Sequence, residues 1–140
     1  MFSQVDFAVA GVPVAKGRPR ATVRGGVPSL YTPAKTRTYE SLVQKAAQEA
    51  MDHREYFDDA VDVSILAYLP IPASWSKKKQ RAALHGEVLP TSRPDVDNYA
   101  KIICDACNGI VYRDDSLIVG LTVEKRYSDN PRIFVRVSVI

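Results

Sequence analysis

Residues 93–105, RPDVDNYAKIICD, concentrate charged side chains that could do chemistry on a phosphodiester. Asp95 and Asp97 are separated by a single residue, and Lys101 follows Asp97 at a spacing of four. Converging carboxylates repel one another unless a cation joins them, and Mg²⁺ and Mn²⁺ prefer oxygen ligands. A turn that brought Asp115 back beside Asp95 and Asp97 would therefore create a divalent-metal site. A metal there could hold a phosphate and activate water, while Lys101 neutralised the charge of the transition state.

The same residues also have ordinary structural interpretations. Asp97 directly precedes a predicted helix and could simply be its N-cap. Asp97 and Lys101 also form a common i,i+4 helix pair, worth about 0.3–0.5 kcal/mol. Asp114 and Asp115 could form a solvated turn. The co-occurrence of D-x-D-N, a lysine and D-D favours the metal site, although the structural interpretation stays open.

The apolar patterns predict the elements that must position these residues. Alternation predicts strands over residues 5–10, 60–69, 117–127 and 133–140, the last two joined as a hairpin across SDNPR. Helical spacing predicts helices from residue 33 to about 51, over 75–84 and over 98–107. The N-caps predicted for these helices are Thr32, Ser74 or Ser76, and Asp97.

The remaining N-terminal segment, residues 11–28, is rich in Gly, Pro and Arg and is predicted to be a loop or irregular hairpin. Leu30 and Tyr31 could add a short strand. The sequence shows no internal repeat and no linker. The order of elements therefore predicts one α/β (or α+β) domain over residues 1–140, with a mixed sheet and two main helices.

Composition limits the class of protein. The chain has 140 residues, 46% of them hydrophobic, and a net charge of +3, which permits an anionic partner without requiring one. No apolar run approaches the ~18 residues of a membrane helix, and no signal-peptide pattern is present. Cys104 and Cys107 lie inside a predicted helix without a second Cys or His pair, so they are expected to be packed thiols rather than zinc ligands. We therefore expect a protein without a membrane partner, in a reducing, cytoplasmic compartment.

Two basic segments, KGRPR and SKKKQR, precede the acidic motif in the chain. A charge run is usually a solvated face, but basic loops around an acidic metal site would also suit contacts to nucleic-acid phosphates. The residues predicted to contact DNA are Lys16, Arg18, Arg20, Lys77, Lys78, Lys79, Arg81 and Arg93.

The stretch RPDVDNYAKIICDACNGIVYRDDSLI resembles the RusA family of Holliday junction resolvases, which are common in bacteria and their prophages. The family pattern is D-x-D-N, a lysine three residues past the asparagine, an aspartate four residues later, and a D-D turn before a strand. All of these are present. The N-terminal strand and the G-R-P-R loop are similar to the family as well.

The resemblance implies a crossover junction endodeoxyribonuclease that depends on Mg²⁺ or Mn²⁺. It implies a homodimer that binds four-way DNA junctions and nicks two opposed strands symmetrically, leaving 5′-phosphate and 3′-hydroxyl ends, in recombination and repair. A bacterial or phage-infected cell would be its setting. By the same match the metal ligands are Asp95, Asp97 and Asp115, with Asp114 assisting, and the essential lysine is Lys101. Asn98 and Asp105 would have supporting roles.

The sequence departs from the shortest family members over residues 70–94, so the DNA-facing surface and the preferred branched substrate stay open. Two other functions also stay open. One is a non-catalytic branched-DNA-binding module in which the aspartates cap helices. The other is a D-x-D glycosyltransferase using Mn²⁺, which is disfavoured because no nucleotide-binding βαβ unit precedes the motif. An aspartyl phosphatase is disfavoured too, because PTSR rather than an apolar strand precedes it.

Overall fold

A mixed four-stranded sheet forms the centre of the computed structural model, which describes residues 2–17, 20–31 and 33–140. In chain order the elements are β1 (Gln4–Ala10), β2 (Arg20–Arg24), β3 (Val27–Tyr31), α1 (Ala34–Met51), β4 (Val61–Pro70), α2 (Lys77–Leu84), α3 (Val96–Cys107), a short 3₁₀ helix (Asp115–Leu117), β5 (Ile118–Ser128) and β6 (Arg132–Val139). The sheet has the order β1-β6-β4-β5. This arrangement confirms the predicted α+β class with a mixed sheet and two main helices.

The hydrophobic core lies on one face of this sheet. Burial alternates along β4 and β6, so that Val63, Ile65 and Val135 are buried while their neighbours are more accessible. Helix α1 buries Tyr39 and Val43, among others, at helical spacing. Both α1 and α3 contribute to the same cluster of buried residues as the strands. The period of two in the strands and of 3.6 in the helices therefore meets at one interface.

The two C-terminal strands do not form the predicted hairpin, and this prediction is wrong. They run antiparallel, but β4 lies between them, parallel to β5 and antiparallel to β6. The connection over residues 129–131 crosses two strand spacings, about 9.6 Å, which is within the reach of extended backbone. The physical reason is burial. Strand β4 is apolar, and at the centre of the sheet both of its edges are hydrogen-bonded to neighbouring strands.

The segment predicted to be a loop or irregular hairpin contains a regular two-stranded hairpin of β2 and β3. Gly25 and Gly26 form its two-residue turn with φ values of +57° and +78°. A turn with positive φ at both central residues matches the right-handed twist of the flanking strands, and glycine adopts it at no steric cost. The hairpin includes the predicted Leu30–Tyr31 strand.

The helix starts follow the predictions in part. Helix α2 has Ser76 as its N-cap, and the Ser76 hydroxyl accepts a hydrogen bond from the Lys79 amide at 3.2 Å. Helix α1 begins at Ala34 after Pro33, while the predicted cap Thr32 lies outside the described residues. Across the described ranges, none of the helices combines the length and the apolar character needed to span a bilayer.

The central position of β4 makes a stability prediction. Replacing Ile65 with alanine should lower the free energy of unfolding by about 2–5 kcal/mol, because the side chain is 2% exposed and its removal leaves a cavity. Leu121→Ala on the edge strand β5 is the control, since Leu121 is 49% exposed and should lose much less. Urea denaturation measures both. Equal losses would contradict a central β4 and an edge β5.

Candidate active site

The acidic motif lies at the N-terminal end of α3, whose rotation is fixed by burial. Six of its twelve residues are buried in the core: Tyr99, Ala100, Ile102, Ile103, Ala106 and Cys107. The opposite side carries Asp97 and Lys101, which are exposed, and the partly exposed Asp105. The apolar pattern of the helix therefore directs the charged residues of the motif away from the core.

The start of α3 corrects one prediction. The helix begins at Val96, so Asp95 rather than Asp97 occupies the N-cap position, with extended backbone angles of φ −74° and ψ 156°. Asp97 lies in the first turn, where its charge is favoured by the helix dipole. The Asn98 amide donates to the Asp95 carbonyl at 3.1 Å, which closes the first turn two residues earlier than the sequence suggested.

The carboxylates of Asp95, Asp97 and Asp115 lack partners in the described part of the chain. Although Asp95 sits in the N-cap position, its side chain makes no capping hydrogen bond. The structure gives the carboxylates of Asp95, Asp97 and Asp115 no hydrogen bond or ion pair within residues 2–17, 20–31 and 33–140, and all three residues are exposed. A capping aspartate normally accepts an amide hydrogen bond. The free oxygens of Asp95 are thus not explained by helix capping.

The loop that delivers Asp95 is held by a residue that sequence reasoning missed. The Lys125 ammonium donates to the carbonyls of Ser92 and Pro94, at 2.9 and 3.0 Å. The peptide bond between Arg93 and Pro94 is cis. The strand pattern contains a signal for this contact. Lys125 lies two residues after Val123 in β5, so both side chains are on the face of the sheet that the helices cover.

A chain of charges lies along the exposed side of α3. The Lys101 ammonium is 3.6 Å from a carboxylate oxygen of Asp105, and the Lys16 ammonium is 3.4 Å from the same oxygen. Lys16 also pairs with Glu40 at 3.2 Å, and its amide donates to the Asn98 carbonyl at 3.0 Å. Asp105 therefore orients Lys101, and Lys16 ties the N-terminal loop to α3.

The two aspartates of the D-D turn, Asp114 and Asp115, have different surroundings. The Asp114 carboxylate accepts the Ser116 amide at 3.0 Å, and this hydrogen bond lowers the pKa of Asp114. Asp115 begins the 3₁₀ helix and is exposed. Burial raises the pKa of the Cys104 thiol to about 11, and the nearby charges of Asp105 and Asp115 add to the effect. Asp115 thus lies near the third turn of α3.

The segment before Asp115 is anchored to the core. The buried Tyr112 donates its hydroxyl to the Cys104 carbonyl at 2.7 Å. The Phe57 amide donates to the Val111 carbonyl at 2.8 Å, and the Arg113 amide to the Phe57 carbonyl at 2.9 Å. These hydrogen bonds hold the backbone segment that leads into Asp115. As expected from the sequence, both cysteines are free thiols, one partly and one fully buried.

The described residues do not form a ready metal site. Across residues 2–17, 20–31 and 33–140, no group of three or more His, Cys, Asp or Glu side chains is close enough to hold an ion. The structure therefore places Asp95 and Asp97 together at the start of α3 but does not bring Asp115 into one cluster with them. The chemistry of the donors still fits a hard divalent cation, because all three offer only carboxylate oxygens that nothing else occupies.

The structure describes the side chains of six of the eight residues predicted to contact DNA. The four basic residues of α2 are all exposed: Lys77, Lys78, Lys79 and Arg81. Arg93 is exposed beside Asp95, whereas the Lys16 ammonium is engaged by two carboxylates. Arg18 lies outside the described residues, and only the backbone of Arg20, in β2, is described.

Because the Asp95 carboxylate makes no capping bond, its removal should have a different effect from the removal of a true N-cap side chain. Asp95→Ala should leave amide hydrogen exchange in the first turn of α3 nearly unchanged, because no capping bond is lost. Ser76→Ala is the control: losing its bond to the Lys79 amide should speed exchange there about fivefold, the equivalent of about 1 kcal/mol. A similar acceleration at α3 in Asp95→Ala would make Asp95 a structural cap.

Comparisons with known proteins identify the family of the chain. The sequence model of the family described as "Endodeoxyribonuclease RusA" matches residues 10–138. A protein of Bacillus subtilis strain 168, described as "Uncharacterized protein YqaN", is 40% identical over 137 residues, which cover 95% of this chain and 94% of that protein. The family match covers the acidic motif, all of β4 and β5 and most of β6. The chain belongs to the RusA endodeoxyribonuclease family.

Proposed function

We propose that this protein is a divalent-metal-dependent endonuclease that resolves four-way DNA junctions. The observation that carries the proposal is the set of exposed carboxylates without partners at the start of α3, one helical turn from Lys101. These free oxygens suit a ligand because they belong to the D-x-D motif beside Lys101 rather than to isolated surface positions. Family membership favours DNA as the substrate.

The proposed ligands are Asp95, Asp97 and Asp115, with Asp114 supporting the turn that carries Asp115 through its bond to the Ser116 amide. Mg²⁺ or Mn²⁺ bound there would supply a Lewis acid and an activated water. Because Asp115 is not clustered with the others, we infer that the phosphate of the substrate completes the site. Magnesium commonly combines one or two carboxylates with phosphate oxygens and water in this way.

The remaining groups act on the phosphodiester directly. A water oxygen attacks phosphorus and the bond to the 3′ oxygen breaks, which leaves a 5′-phosphate and a 3′-hydroxyl after the leaving oxygen gains a proton. In this proposal the Lys101 ammonium, which pairs with Asp105, neutralises the charge on the phosphoryl oxygens as this occurs. The exposed lysines of α2 and Arg93 would hold the neighbouring phosphates.

Two symmetric cuts require two active sites related by a two-fold axis, and we therefore propose that the active form is a C2 homodimer. The decisive assay incubates the protein with a synthetic four-way junction or a linear duplex of the same sequence, with Mg²⁺, Mn²⁺ or chelator. Paired nicks in the junction, only with a divalent ion, support the proposal. Tight junction binding without cutting under every ion would instead support a non-catalytic DNA-binding module.

Asp97→Asn should lower the cutting rate by about 100-fold or more, since even residues that only support a metal ligand are worth 10–100-fold. Junction binding and fold should persist, because Asp97 makes no bond in the described structure and its dipole interaction is worth at most about 1 kcal/mol. Glu49→Gln, the same change at an exposed site on α1, is the control. Cutting by Asp97→Asn at the control rate would remove Asp97 from the site.

Lys101→Ala should reduce cutting by about 100- to 1,000-fold, the usual loss when a stabilising donor is removed from a transition state. Its side chain is 64% exposed and, among the described residues, pairs only with Asp105, so the melting temperature should change little. Lys45→Ala on the exposed side of α1 controls for lost charge. Normal cutting, or a large drop in melting temperature that accounts for the lost activity, would assign Lys101 to structure.

A further inference from the structure

A cavity of about 750 Å³ opens directly beside the acidic motif. The N-terminal loop of residues 12–17 forms one side, and the first turn of α1 contributes Lys35 and Thr36. The end of β4, the loop before α3 and Tyr127 of β5 complete the lining, which includes Asp95 and Asn98. Its volume falls in the range of sites that bind small organic groups. The proposed metal ligand Asp95 thus forms part of its wall.

The lining of this cavity is rich in proline and largely apolar. Six of the nine prolines of the chain line it: Pro13, Pro33, Pro70, Pro72, Pro90 and Pro94. Proline has a fixed φ and no amide N–H, so these six positions restrict the backbone and offer no backbone donors. Tyr127 adds an aromatic ring that is braced by Trp75, with ring centroids 5.3 Å apart in an edge-on arrangement. Such walls suit a flat, apolar-faced group.

Two cations on the lining are available to an anion. Lys35 and Arg93 are exposed, and neither has a hydrogen bond or ion pair to any other residue in the described ranges. Lys16 also lines the cavity, but Glu40 and Asp105 hold its ammonium. A flat aromatic base with an attached phosphate matches this combination of an apolar slot and unpaired positive charges.

We propose that this cavity receives one nucleobase, unstacked from the strand whose phosphate lies at Asp95, while Lys35 and Arg93 contact an adjacent phosphate. The inference rests on the proposed function, because it requires a DNA strand at the start of α3. Stacking on Tyr127 and packing against the prolines offset the loss of base stacking in the duplex.

The test places 2-aminopurine, one position at a time, at the nucleotides that flank the cut in a synthetic four-way junction. Fluorescence is measured with Mg²⁺ on a version of this junction whose phosphates at the cut sites are non-cleavable, so that the metal is present and the strand stays intact. With the wild-type protein, the signal should rise at one position as that base leaves the stack. Val12→Trp should abolish the rise and weaken junction binding about tenfold, the loss expected when one base cannot stack. Val12 is 56% exposed on the cavity lining, so a larger side chain there should not disturb the core.

Leu42→Trp, at a 49% exposed position on α1 that does not line the cavity, should keep both the rise and the affinity. Ser92→Trp, at a second exposed lining position, should repeat the effect of Val12→Trp. A flat signal at every position in a bound junction, or a rise that survives both lining variants, would overturn the proposal. Stabilisation of the wild type by free deoxynucleoside monophosphates, without any rise in DNA, would overturn it in favour of a mononucleotide site.

Cutting of the cleavable version of the same junction in Mg²⁺ separates the two proposals. Cutting without a fluorescence rise rejects the base site and leaves the nuclease in place. A rise without cutting rejects the nuclease and supports the cavity as a base site in a DNA-binding protein.

Discussion

The burial of α3 is the constraint on which the rest of the site depends. Half of this helix is packed in the core, so its rotation about its own axis is fixed, and the exposed side must carry the motif. Its start is held from two directions, by the Lys16 amide on the Asn98 carbonyl and by Lys125 on the loop before Asp95. Helix packing and two local contacts thus determine where the carboxylates lie.

The described residues only partly balance the negative charge at the start of α3. The helix dipole favours negative charge at the start of α3, but it does not satisfy the oxygens of Asp95 and Asp97. Lys101 is close in sequence yet pairs with Asp105, further along the helix. Neither carboxylate has a positively charged partner within residues 2–17, 20–31 and 33–140. Under the proposed function, a hard cation brought together with a phosphate would supply that charge and would couple metal binding to substrate binding.

Local sequence patterns predicted much of the fold because burial imposes clear periods. The alternation in β4 and the helical spacing of α1 and α3 were readable for this reason. The order of strands was not, because adjacency in sequence favours a hairpin and only the competition for the centre of the sheet places β4 between β5 and β6. The start of α3 was misplaced because Asp97 and Asp95 are both good caps, and the choice depends on the path of the loop at Pro94.

Part of the candidate site could likewise be predicted from the sequence and part could not. The D-x-D-N motif, Lys101 and the D-D turn could be found from residue types, because their chemistry is local. Lys125 and the proline-lined cavity could not, since both join segments far apart in the chain. The position of Asp115 relative to Asp95 depends on the anchoring of Tyr112 against α3, which no spacing rule contains.

The most direct measurement of the central claim is the location of Mn²⁺ in crystals of the protein bound to a four-way junction with non-cleavable phosphates at the cut sites. Anomalous scattering identifies the ion without reference to its ligands. The account predicts an Mn²⁺ ion bound by oxygens of Asp95, Asp97 and Asp115 and of the DNA phosphate. Manganese bound only elsewhere, with these three carboxylates still apart while the junction is in place, would contradict it.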